Sequence, residues 1–153
     1  MTPLRILPNI EALTVGFLRN DPDLAALVGQ RVYAGALPDT TRPCIRVTRW
    51  GGTPQYDAWQ PSPILLDNAH LQIDVWGTTN AEAGRIAETV RAILAQRYPG
   101  HQQQGLEAAD IVKVAFSTLS DSPDDTYDPP WPRYIIDLTI TYKNKEKDNV
   151  RVR

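Results

Sequence analysis

One cysteine, Cys44, is all the chain has, so an internal disulfide and a cysteine-built zinc site are both excluded. Only two histidines are present, and lysine is scarce: Lys113 stands alone in the body, and the other three fall within residues 143–153. No apolar run approaches the ~18 residues needed to cross a bilayer as a helix, so no membrane partner is expected. The N-terminal stretch lacks the apolar core of a secretory signal, and none is expected. Neither phosphate cradle, G-x-x-x-x-G-K-[ST] or G-x-G-x-x-G, occurs, and there is no G-x-S-x-G elbow for a nucleophilic serine. With 42% hydrophobic and 22% charged residues, a wholly disordered chain is also excluded. A length of 153 residues points to one domain with its own core.

What the sequence has in excess is proline, 13 of 153 residues, and an uneven charge. The last eleven residues, KNKEKDNVRVR, hold five of the 16 bases and two of the 18 acids, a net +3. Residues 1–142 keep 11 bases and 16 acids, a net −5. An acidic body does not favour gripping nucleic acid, since phosphate contacts are made by Lys and Arg. The expected organisation is a single domain over 1–142, with extended loops at 51–68 and 120–132. A basic, mobile tail is expected over 143–153.

Periodicity supplies the elements. A first helix is expected from Pro8, with Ile10, Leu13, Phe17 and Leu18 at helical spacing through Arg19. Asp21 and Pro22 open a second, which Gly29 stops. Strands are expected at 31–34, 44–50 and 69–76, where Leu71, Ile73 and Val75 alternate with His70, Gln72, Asp74 and Trp76. Thr79 and Glu82 form a capping box for the principal helix, about 80–97. Its stripe is Ala83, Ile86, Ala87, Val90, Ile93 and Leu94. Two more strands follow at 111–119, with Val112, Val114 and Phe116 inward, and at 133–143. The fold class is therefore α+β: a mainly antiparallel sheet of about four to five strands, with the principal helix and the N-terminal helices packed on it.

Catalytic constellations are not evident. His70 and Asp74 lie on one strand face with Cα atoms ~13 Å apart, too far to share a proton or a metal. Asp121, Asp124, Asp125 and Asp128 make an acidic cluster without the spacing or glycine of a calcium loop, so a solvated loop is the better reading. Cys44 reads as a packing residue. A small metal- or ligand-binding enzyme built on these groups is the remote alternative. No catalytic, metal or cofactor residue is assigned, and no cofactor is expected. The aromatic pairs in the proline-rich segments, Tyr56 with Trp59 and Tyr127 with Trp131, are the candidate subunit-interface residues, because Trp and Tyr favour interfaces.

Four blocks then carry a resemblance: DPDLAALVGQRVYAG, RPCIRVTRW, HLQIDVWGTTNAEAGRIAETVRAIL and YIIDLTITYK. Their order over residues 9–142, and above all 21–35 and 71–94, resembles the tail terminator (tail completion) proteins of long, non-contractile-tailed bacteriophages and prophages. The resemblance implies a structural virion protein with no catalytic activity. It implies a homo-hexameric ring that caps the tail tube, terminates tail polymerisation and joins the tail to the head connector. Its partners would be further copies of itself, the major tail tube protein and head–tail connector proteins, and DNA would pass through the lumen without specific binding. Its location would be the top of the tail in the virion, and the host cytoplasm during assembly. A head–tail connector or neck subunit is the alternative within the same machinery. The excursions 51–68 and 120–132 and the basic tail depart from the family pattern.

Overall fold

A computed structural model describes residues 7–38, 41–55, 66–101 and 109–144. The elements are α1 (Ile10–Arg19), α2 (Pro22–Val28), β1 (Val32–Ala34), β2 (Cys44–Gln55), β3 (Leu66–Trp76), α3 (Asn80–Gln96), β4 (Ala109–Asp121) and β5 (Arg133–Asn144). The five strands form one sheet in the order β1-β2-β3-β5-β4. All neighbours are antiparallel except β1 and β2, which pair in parallel with Val32 opposite Ile45, so the sheet is mixed. The connection after Gly35 brings the chain back to the end from which β1 started, and parallel pairing follows.

Local chemistry sets the helix starts. Asn9, not Pro8, opens α1: its side chain accepts from the Ala12 N–H at 3.2 Å, which leaves Pro8 ahead of the cap. Asp21 caps α2 by accepting from the Asp23 and Leu24 N–H groups, with Pro22 in the first turn. Thr79 caps α3 through the Glu82 N–H at 3.1 Å. Glu82 in turn accepts from Thr78, at its N–H and hydroxyl, one residue before the cap. The stripe of α3 is buried at Ala83, Ile86, Ala87, Val90, Ile93 and Leu94.

These helices pack on the sheet face that carries Val47, Ile73 and Ile136 in one row and Leu71 and Leu138 in the next. At the C-terminal end of α3, Arg97 bridges Asp21 at 2.7 Å and Asp23 at 2.6 Å. Tyr98 is fully buried, bonds the Thr14 hydroxyl at 3.0 Å and stacks on Phe17 at 4.4 Å. The α3 terminus is thus locked onto α1 and α2.

The sheet departs from expectation in three places. First, β2 and β3 continue into the segment expected to be loop: Gly51 to Gln55 pair with His70 to Leu66. Gly51 and Gly52 serve strand geometry here. A Cβ on Gly52 would lie 2.7 Å from the Asn68 carbonyl oxygen, and its φ of +159° disfavours any other residue. Residues 56–65 of that segment lie outside the described residues. Second, Val112 is not inward: β4 bulges between Ile111 and Lys113, and Val112 is 51% exposed. A second β4 bulge lies between Phe116 and Thr118. Third, β4 and β5 extend beyond the expected bounds, and an Asp124–Trp131 bridge carries the pairing into the 120–132 excursion. At the opposite edge, Arg19 donates through Nε to the Val32 carbonyl at 2.8 Å. The tail beyond Asn144 lies outside the described residues.

Candidate assembly surfaces

Alternation along the strands gives the sheet a second face on which no helix packs among the described residues. It carries Arg46 and Thr48 on β2, His70, Gln72, Asp74 and Trp76 on β3, and Asp137, Thr139 and Thr141 on β5. Its polar groups are largely paired with each other. Arg46 donates twice to Asp74 Oδ2, at 3.1 and 2.9 Å, and Gln72 donates to Oδ1 at 3.1 Å, so a fully buried carboxylate is charge-matched and bonded at both oxygens. His70 Nδ1 bonds the Thr139 hydroxyl at 2.8 Å, Thr118 donates to Asp137 at 3.0 Å, and Thr141 donates to Asn68 at 2.6 Å.

One end of this face is roofed by the 120–132 excursion. Trp76, 1% exposed, donates its indole N–H to Asp124 Oδ2 at 2.9 Å. Asp124 Oδ1 accepts from the Thr126 N–H at 3.1 Å and hydroxyl at 2.6 Å, and Arg133 lies 3.8 Å away. Burial pushes the Asp124 carboxyl up, but the Thr126 and Trp76 donors and the Arg133 charge outweigh it and hold it below its ordinary value. Tyr127 and Trp131 stack on each other at 3.6 Å with planes 2° apart, and the Arg42 guanidinium lies 4.1 Å from the Trp131 ring. Two of the four candidate interface residues are therefore brought together, as a half-buried aromatic clasp. The other two, Tyr56 and Trp59, lie outside the described residues.

The opposite end carries no such roof among the described residues. Trp50 occupies a β2 bulge, is 62% exposed and stacks on His70 at 5.0 Å. Trp50 and Val112 are the large exposed hydrophobic side chains among the described residues. Neither was singled out as an interface residue by the sequence. A signal for Trp50 was present: in CIRVTRW it falls on the side of Arg46 and Thr48, an indole among polar neighbours. The signal for Val112 was weaker, two adjacent apolar residues of which alternation can bury one.

Below the bulge, on the helix side, Arg49 donates to Asp67 Oδ2 at 2.7 Å and to the Tyr142 hydroxyl at 3.2 Å. Burial alone would lower the Arg49 guanidinium, but the bond to Asp67 and the charges around it raise it overall. Burial, with the Asp67 charge, also raises the Tyr142 phenol.

No group of three or more His, Cys, Asp or Glu side chains capable of holding a metal occurs among the described residues. In the acidic cluster, Asp124 is committed to Trp76 and Thr126, and Asp121 accepts from Asn80 at 3.1 Å. Cys44 is buried. Among the described residues no helix is long and apolar enough to cross a membrane.

The sequence profile described as tail completion protein gp17 matches residues 14–129. The chain belongs to the tail completion protein family. Among solved structures, a chain in the virion of a native gene transfer agent particle shares the fold, with a TM-score of 0.60 at 17% identity. That match covers 88% of this chain and 95% of the other. The structure of the bacteriophage SPP1 gp17 protein also matches, at 20% identity, a TM-score of 0.49, and 86% and 87% coverage. No curated protein matches the chain. The tail completion protein is thus a structural component of a phage tail, located in the virion tail.

Proposed function

We propose that this tail completion protein assembles as a homo-hexameric ring that caps the tail tube, stops its polymerisation and joins the tail to the head connector. DNA passes through the ring without being bound specifically. The supporting observation is the helix-free sheet face, with an aromatic clasp at one end and an exposed Trp50 at the other. A closed ring needs two different surfaces per subunit, and this face offers two. Tyr127 and Trp131 belong to the first surface, and Tyr56 and Trp59 are the further interface residues of this reading. Residues 1–142 act as one folding unit, to which β5 adds Lys143 and Asn144, and the rest of the basic 143–153 stretch is its appendage.

The test is binding to tail tubes. Purified protein added to growing tubes should stop elongation and appear as a ring of six at one end in negative stain. Tubes that grow unchanged, with protein found only on detached heads, would instead favour a connector or neck subunit.

A further inference from the structure

We infer that Arg49 is the positioning residue for Trp50: its side chain holds the β2 bulge in the shape that turns the indole outward. The inference rests on the ring reading, in which Trp50 belongs to the second surface. Arg49 and Gly51 pair with the consecutive residues Leu71 and His70, so Trp50 is the extra residue of the bulge. Trp50 stacks on His70 on the helix-free face, while the Arg49 side chain lies on the other face with Tyr142 and Asp67.

Arg49 is tied to four elements. Its backbone N–H donates to Glu11 Oε2 of α1 at 2.9 Å, and its Nε donates to the Gly51 carbonyl of β2 at 3.1 Å. Nη1 donates to the Tyr142 hydroxyl of β5 at 3.2 Å, and Nη2 to Asp67 Oδ2 of β3 at 2.7 Å. The bond to Gly51 spans Trp50 and closes the bulge on itself, which leaves the indole the outward course.

Two observations argue that bracing the bulge, more than pairing charge, sets this geometry. The first is an oxygen. A guanidinium that serves a carboxylate alone favours a fork, two N–H groups on two oxygens. Here Nε is committed to Gly51, and Asp67 Oδ2 takes both Nη2 and the Tyr142 hydroxyl. The buried Asp67 Oδ1 has no partner among the described residues. An unpaired buried acceptor destabilises the fold, so something other than the carboxylate fixes the fork, and that is the bulge. The second is a glycine. A Cβ on Gly52 would lie 2.7 Å from Arg49 Nη2, so glycine is what leaves the guanidinium its path to Asp67. Arg49, Trp50, Gly51 and Gly52 therefore work as one unit.

Full-length variants test this, read by the NMR shifts of the His70 ring, which the indole stacked at 5.0 Å displaces through its ring current. Trp50→Ala supplies the unstacked reference. Arg49→Lys keeps a charge for Asp67 but loses Nε and the planar fork, so its His70 shifts should move most of the way to that reference. Asp67→Asn removes the charge but keeps an acceptor for Nη2, so its shifts should stay at the wild-type values. Unchanged α3 amide shifts verify the fold of each. Should Arg49→Lys fail to fold, Gly52→Ala, which drives Nη2 from its path, must give the same displacement. On tail tubes Arg49→Lys should associate ~10-fold more weakly than wild type, like Trp50→Ala, and combining the two should weaken it no further. Wild-type His70 shifts in Arg49→Lys would overturn the inference, since a bare charge would then suffice. Equal displacement in Asp67→Asn would overturn it in favour of the ion pair. Wild-type rings from Trp50→Ala would remove Trp50 from the ring reading and overturn the assembly half of the inference, while the His70 shifts decide the positioning half by themselves.

Discussion

Trp76 and Asp124, 48 residues apart in sequence, meet through an indole N–H to carboxylate bond of 2.9 Å in the buried interior of the 120–132 excursion. The bond seats the proline-rich connection on the sheet instead of leaving it in solvent. Asp124→Ala would leave the indole N–H and the Thr126 N–H without their acceptor. Urea unfolding should show a loss of about 2–3 kcal/mol, because buried donors forfeit their solvation when the acceptor goes. A loss below half a kcal/mol would show that the excursion is not held at this point.

The same carboxylate makes stability depend on acidity. Its folded value lies below the ordinary one, so the unfolded chain binds the proton at higher pH than the folded chain does. The contribution is complete above the ordinary carboxylate value of about 4 and is lost as pH falls through the depressed folded value. Unfolding free energy measured from pH 6 to pH 3 should fall more steeply for the wild type than for Asp124→Asn. Parallel curves would count against this assignment.

Arg46 and Asp74 form the buried pair of the open face. Arg46→Met leaves the fully buried Asp74 with only Gln72 as partner. The expected loss is about 3 kcal/mol, the low end for a broken buried pair because Arg46 is 30% exposed. Adding Asp74→Leu should recover much of it, since an apolar pair has no charge to compensate. A double variant as unstable as the single one would sink this account.

Gly52→Ala probes the root of the 56–65 segment. The new methyl would press on the Asn68 carbonyl at 2.7 Å in a backbone conformation that alanine disfavours. The expected cost is about 1–3 kcal/mol. Amide exchange should quicken at residues 51–55 and 66–69 while the α3 amides keep their protection. Uniform exchange throughout would mean the strain is not local.

The α3 helix was legible in full because its determinants are local: Thr79 caps it, and six apolar residues at helical spacing fix the face it buries. The alternation in β3 and β5 was legible for the same reason. The parallel pairing of β1 with β2 was not, since it depends on where the 35–43 connection brings the chain. The extension of β2 and β3 was hidden because glycines and prolines read as loop formers, while Gly52 is there for a close approach to Asn68. Val112 was misplaced because one extra residue in an edge strand reverses the side on which its neighbours fall. Tyr127 and Trp131 were singled out as a pair; that they clasp each other depends on the Asp124–Trp131 bridge, which no periodicity encodes.

Arg19 on the Val32 carbonyl and the two bulges of β4 have an effect beyond their own strands. A protein made in many copies and concentrated at one spot in a crowded cell risks fusing edge to edge into runaway fibres. Here one margin is plugged by a guanidinium and the other is warped out of register. In the proposed ring, copies would then meet through their side chains instead of strand to strand, and closure of the ring would set the number of subunits.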